Sequence, residues 1–342
     1  MVDERSISIK QIADKQRQNR IVTACVGVIV LAVIVAVFFV DYGVIVDKLK
    51  GMGFEPSADM SVLIDDIDTT SRGDIVLRAS KPVLLERAEF NNTCESHDLE
   101  LSVLGCYTAG QIYIYNVENE ELDGVRQSTL AHELLHAVWD RMPSSEREEF
   151  MPLLQEIYDG NIDEWQTRLE RYPEESFYDE LHSIIGTEVS IGDLSGVLVE
   201  HYSKYFESQN KIVGYYEAYS ERFQELKEEA DELYAEITAN QERINAETVN
   251  YNDGIVELNV VIEDFNRRAA NGSFTSIEAF NTERAVLIRK QAALTKLHQE
   301  ISDIVDKTNV LIEQYNNNIT RTQVLIDSIN SNTRTPEAEI KD

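Results

Sequence analysis

His132, Glu133 and His136 stand in the order H-E-x-x-H within Thr129-Leu130-Ala131-His132-Glu133-Leu134-Leu135-His136-Ala137-Val138-Trp139-Asp140-Arg141-Met142. Nothing in this stretch breaks a helix, and its Leu, Ala, Glu and Met residues favour one. Four residues apart on a helix, two imidazoles project from the same face. Both could then hold one Zn²⁺ at about 2.0–2.1 Å from a ring nitrogen. Glu133, one residue on from His132, could reach water beside such an ion without ligating it. The chemistry this suits is hydrolysis, in which a carboxylate takes a proton from water activated by a metal and later hands it on. The competing reading is two histidines with a structural role, because a pattern this short also arises by chance.

The histidines need elements to aim them. Leu130, Leu134, Leu135 and Val138 give the helix an apolar back, so the imidazoles should look out from a packed element into a cleft. Upstream, Gln111-Ile112-Tyr113-Ile114-Tyr115-Asn116-Val117 alternates in the manner of a β-strand. Strand, short acidic loop and H-E-x-x-H helix together resemble the zincin metallopeptidases. The resemblance covers roughly residues 111 to 190 and reaches only superfamily level. It implies a zinc peptidase acting on a peptide or protein substrate, with His132 and His136 on Zn²⁺ and Glu133 as general base. It also implies an edge strand, here 111–117, that pairs with the extended substrate.

A hydrolytic zinc site needs a third protein ligand and an open position for water. The segment Ser176-Phe177-Tyr178-Asp179-Glu180-Leu181-His182-Ser183-Ile184-Ile185-Gly186-Thr187-Glu188 is where that ligand should lie. Its Glu180, followed by small side chains, resembles the third-ligand helix of the thermolysin-type (gluzincin) branch, which implies Glu180 as ligand. Glu188 and His182 are the alternatives, and a solvent-facing helix carboxylate is the ordinary fate of a Glu. The segment departs from the branch at Ile184, where an Asp orients a histidine ligand. Asp140, four residues beyond His136, is a candidate for that task. Tyr178, His201 and Tyr202 fall in the right stretch for an oxyanion donor, but nothing in the sequence chooses among them.

Composition and patterning place these elements. The net charge of −31 over 342 residues argues against nucleic-acid partners. Residues 21–40, Ile21 to Val40, carry no charge and are long enough to cross a bilayer core of about 30 Å as a helix. The run ends Val37-Phe38-Phe39-Val40, without the small residues of a signal-peptide cleavage site. Basic residues at 5, 10, 15, 17 and 20 precede the run and fewer follow it. The expected topology is a cytoplasmic 1–20, a membrane anchor at 21–40 and an extracytoplasmic remainder. In that compartment Cys94 and Cys106 could form a disulfide; in a reducing one they would be free thiols.

Beyond the anchor, 41–57 reads as a linker, and 58–207 as one domain holding the H-E-x-x-H helix. Within it, Ser145-x-x-Glu148 predicts a capping box, and Asn161 to Tyr172 a short helix. From 208 to 330 apolar residues fall three and four apart: Tyr216, Tyr219, Phe223, Leu226 and Leu233 on one run, Leu294, Leu297, Ile301 and Ile304 on the next. Asn271-Gly272-Ser273 supplies a reversal between them. Two heptad helices joined this way predict an antiparallel coiled-coil hairpin, with polar seam residues Asn240, Thr308 and Asn318 and a break at Gly254. Such a rod is either a spacer or a surface for a protein partner or a second copy of the chain. Residues 331–342 are polar and expected to be disordered. The expected class is α+β, mostly α. A different function class also fits: a membrane-tethered coiled-coil scaffold or peptide-binding protein whose domain is catalytically inert.

Overall fold

The computed structural model describes residues 42–94, 103–170 and 172–331. The expected cytoplasmic segment 1–20 and anchor 21–40 lie outside the described residues, as does the expected tail after Ser331. No helix among the described residues is long and apolar enough to cross a membrane.

The stretch expected to be a linker carries helix α1, Tyr42–Gly51. Its Asp47 is buried, and both carboxylate oxygens lie 3.1 Å from Arg141 Nε. That buried pairing ties the segment to the domain and explains why its glycines do not make it a free linker. Two short helices follow, α2 (Ala58–Asp66) and α3 (Ser71–Ala79). Each starts on a hydroxyl cap: Met60 N donates to Ser57 Oγ and Gly73 N to Thr70 Oγ1. Strand β1 (Val83–Leu85) and helix α4 (Arg87–Thr93) lead to Cys94, which is disulfide-bonded to Cys106 with Cα atoms 6.0 Å apart.

Strands β2 (Gly105–Thr108) and β3 (Gln111–Tyr115) make a hairpin over Ala109 and Gly110, both at positive φ as a two-residue turn requires. The sheet order is β1-β3-β2, with β1 parallel and β2 antiparallel to β3. The strand expected at an edge is therefore the central one. Its backbone groups are used on both sides, so β3 cannot take up an extended substrate; among the described residues β2 and β1 are the edges.

Helix α5 (Val125–Arg141) lies against the sheet and carries the H-E-x-x-H residues. Leu130, Leu134, Leu135 and Val138 on its back are at most 1% exposed, as expected from their spacing. Helix α6 runs Ser144–Gly160, with Pro143 at its N-cap and no side-chain cap bond, so the expected capping box at Ser145 is not formed. Proline's fixed φ and missing N–H suit a helix start without one. Then come α7 (Ile162–Leu169), α8 (Phe177–Glu188) and α9 (Gly196–Tyr202). One core joins α5, α6, α8 and α9 through Leu134, Leu154, Leu181, Ile184, Leu198 and Tyr202.

Helices α10 (Gln209–Ala270) and α11 (Ile277–Ile329) form the long hairpin. Their 62 and 53 residues span about 90 and 80 Å. Glu229 pairs with Asn318, Glu257 with Lys290 and Arg268 with Glu283, so the arms run antiparallel. Gly254, expected as a break, instead marks a close approach. A Cβ there would stand 2.6 Å from Leu294 Cδ2, so hydrogen is what lets the arms meet. At the base, Leu226 and Leu325 pack with Leu85, Phe90, Val117 and Leu122 of the domain. Ser331 is buried there and donates to Val103 O at 2.8 Å.

Candidate metal centre

Helices α5 and α8 pack face to face and bring together His132, His136 and Glu180. The two Nε2 atoms are 3.1 Å apart, as one turn of helix dictates. Glu180 Oε1 lies 3.4 Å from His132 Nε2, and Oε2 lies 3.3 Å from His136 Nε2. One ligand atom from each residue falls within 4.8 Å of the others, so the three could hold a metal ion. Two neutral nitrogens and one carboxylate oxygen make a donor set that suits zinc. The carboxylate is nearly buried, at 9% side-chain exposure, while the imidazoles keep 18% and 16%, so the trio retains some access to solvent.

The alternatives to Glu180 are committed elsewhere. Glu188 forms a bidentate pair with Arg168 at 2.6 and 2.7 Å, on the far end of α8. His182 is fully buried beside Trp139, with its Nε2 2.9 Å from His201 Nε2. The three residues considered as oxyanion donors are likewise engaged: Tyr178 donates to Gln155 Oε1, Tyr202 donates to the His182 carbonyl, and His201 meets His182.

Asp140 does not orient His136. Its carboxylate accepts from Tyr107 Oη at 3.0 Å. The orienting group is Asp179, whose Oδ1 lies 2.8 Å from His136 Nδ1. A ring that donates its Nδ1 proton there leaves Nε2, facing Glu180, to carry a proton or to ligate a metal. Spacing along the helix points to Asp140, four residues after His136, whereas the partner stands 43 residues on, next to Glu180 in the first turn of α8.

Charge and burial set the protonation of the group. Against the cost of burial, the Asp179 and Glu180 carboxylates hold His136 well above the usual imidazole range. Glu180, despite its burial, is kept well below the carboxylate range by His132 and His136. Three groups at this spacing without a metal thus retain a proton, and a cation would displace it. Glu133 is different. Burial pushes its carboxyl upward, with the neighbouring histidines opposing. Its Oε2 is inaccessible and has no hydrogen-bond partner among the described residues. Leaving a carboxylate oxygen buried and unpaired is costly, and one next in sequence to His132 and within range of the charges of His136, His132 and Glu180 fits a site built around an ion. Gly105 of β2 closes the other side: a Cβ there would stand 2.6 Å from Glu133 Oε1.

No family model, curated protein or solved structure matches this chain. The functional reading therefore rests on its own geometry.

Proposed function

We propose that the chain is a zinc-dependent peptidase of the zincin type, anchored in the membrane by residues 21–40 with its domain and hairpin outside the cytoplasm. His132, His136 and Glu180 would hold Zn²⁺. When bound, the ion would polarise water and the scissile carbonyl. Glu133 would serve as general base: it takes a proton from the attacking water and delivers it to the leaving amine, a task its raised pKa suits. Asp179 holds His136 in the tautomer a ligand needs. Gly105 places β2 against Glu133, so β2 rather than β3 would align an extended substrate. The disulfide between Cys94 and Cys106 supports an extracytoplasmic domain, since such bonds persist in oxidising compartments.

The observation that carries the reading is the pairing of a metal-competent trio with a buried, unpartnered carboxylate one residue away. A cation-binding domain would need only the trio; the extra acid is what hydrolysis requires. The test is zinc content and peptide hydrolysis of the purified protein. We expect one zinc per chain that is lost in His132→Ala, and retained in Glu133→Gln with turnover down at least ~100-fold. Zinc bound without any hydrolysis that Glu133→Gln abolishes would favour an inert peptide-binding domain on a tethered rod. No zinc at all would remove the peptidase and favour the scaffold.

A further inference from the structure

Contacts between α10 and α11 distinguish the two sides of the hairpin. One side is ionic: Glu257 meets Lys290 at 2.6 Å, Glu229 accepts from Asn318 at 2.8 Å, and Glu121 reaches both Arg222 and Arg321. On the other, exposed rings lean onto half-buried seam rings: Tyr234 on Tyr315 at 6.3 Å, and His298 on Tyr251 at 5.4 Å. This second side is made by positions reached in alternating steps of four and three, from 234 to 262 on α10 and from 291 to 326 on α11. Of those nine positions on α10 and eleven on α11, none is Asp, Glu, Lys or Arg, in a chain of which 27% is charged. Val305, Ile312, Ile319 and Ile326 recur along it every seventh residue, at 36, 40, 44 and 41% exposure. A solvated rod face has no reason to exclude charge, whereas a face that packs does.

We propose that this uncharged side is a self-association face on which a second copy of the chain packs antiparallel, making a four-helix bundle of two hairpins. Three observations choose that occupant. Two chains of net charge −31 repel everywhere else, and this face is where they can meet without opposing like charges. Charge is uneven along the hairpin: at the base, 216–237 and the facing 308–329 hold ten acidic and three basic residues, whereas around the tip 250–297 hold six of each. Antiparallel packing sets each neutral tip on the other copy's acidic base, and parallel packing would set acidic base on acidic base. The face is also large enough. It is uncharged on both arms over 234–257 and the facing 291–314, about 35 Å long and about 15–20 Å wide, giving roughly 500–700 Å² per copy, which clears the total of about 1,000 Å² that a specific interface needs. The inference is independent of the metal centre.

The test is the mass of the full chain in detergent micelles, by sedimentation and light scattering. The expected result is a dimer that raising salt from about 50 to 500 mM strengthens, because repulsion between the two acidic chains is screened. Ile312→Glu with Ile319→Glu should raise the dimer dissociation constant at least ~100-fold while the helical circular dichroism stays unchanged. Val310→Glu with Val324→Glu, on the same helix but away from this face, should leave it dimeric. Should the paired glutamates cost helicity, Ile312→Asn with Ile319→Asn probes the same face without charge and should weaken the dimer about 10-fold. A monomeric full chain overturns the proposal, and so does a dimer that neither pair of substitutions at 312 and 319 weakens. A dimer that salt weakens overturns the claim that an uncharged face, rather than ion pairs, joins the copies.

Discussion

Gly105→Ala tests how tightly Glu133 is held. A methyl group at Gly105 would lie 2.6 Å from Glu133 Oε1, 2.7 Å from Glu133 Cγ and 2.7 Å from Thr129 Cγ2. Ordinary heavy-atom contacts begin near about 3.5 Å, so strand or side chain must yield by about 0.8 Å. Forcing that into a packed site costs about 1–3 kcal/mol, which lowers the melting temperature by roughly 2–10 °C for a domain of this size. Two of the three contacts come from Glu133, so the cost should fall below about 1 kcal/mol in a Glu133→Ala background. That background should itself be near neutral or stabilising, since it removes the buried oxygen without a partner. The assay is denaturant unfolding of the four chains of a double-mutant cycle, metal-free. A coupling energy of at least about 1 kcal/mol is expected. Additive effects, or a Gly105→Ala chain as stable as the parent, would refute the placement of Glu133 against β2. In the metal-loaded protein the same displacement should cost roughly 100-fold in peptide hydrolysis, the usual penalty for a catalytic group about 1 Å out of place.

Asp179→Ala should weaken zinc binding by about 10–100-fold, measured by competition with a chelator, because His136 loses the partner that fixes its tautomer; Asp140→Ala, whose carboxylate is on Tyr107, should not. Burial holds His201 neutral, with its pKa lowered to about 4, and lowers His182 in the same direction. Above pH 6.5 His201 is neutral folded or unfolded; between 6.5 and 4 only the unfolded chain takes the proton, so stability should fall by about 3 kcal/mol over that window. His201→Phe should flatten the loss, as read by denaturant midpoints across pH. Reducing the Cys94–Cys106 bond, which closes a loop of sequence separation 12, should cost about 3 kcal/mol, seen as a lower denaturant midpoint with reductant present. An unchanged midpoint would mean the bond constrains a segment already ordered when unfolded.

Much of this molecule is written locally. Leucines at 130, 134 and 135 declare a buried helix face because a period of 3.6 repeats within a few residues, and both imidazoles inherit their common direction from it. The seam of the hairpin is legible for the same reason: Leu294, Leu297, Ile301 and Ile304 need only each other and a facing stripe. Glu180 was reachable through a resemblance, but the choice of it over Glu188 and His182 depended on which face of α8 meets α5, and only packing settles that.

Other features have no local signal at all. Whether 111–117 is an edge or a centre is a property of what pairs beside it, and β1 is three residues contributed from nearly thirty positions upstream. Helix α1 stands in a glycine-punctuated stretch because Asp47 reaches Arg141, a partner 94 positions away. Asp179 became the partner of His136 through a contact spanning 43 residues, and Gly105 met Glu133 across a sheet–helix interface. Periodicity and spacing determined the H-E-x-x-H helix, the two hairpin arms and the faces they bury, since those follow from forces between near neighbours along the chain. Which acid completes the trio, which one orients it and which strand lies beside it were decided by tertiary packing, because those contacts join residues whose separation in sequence carries no information about their separation in space.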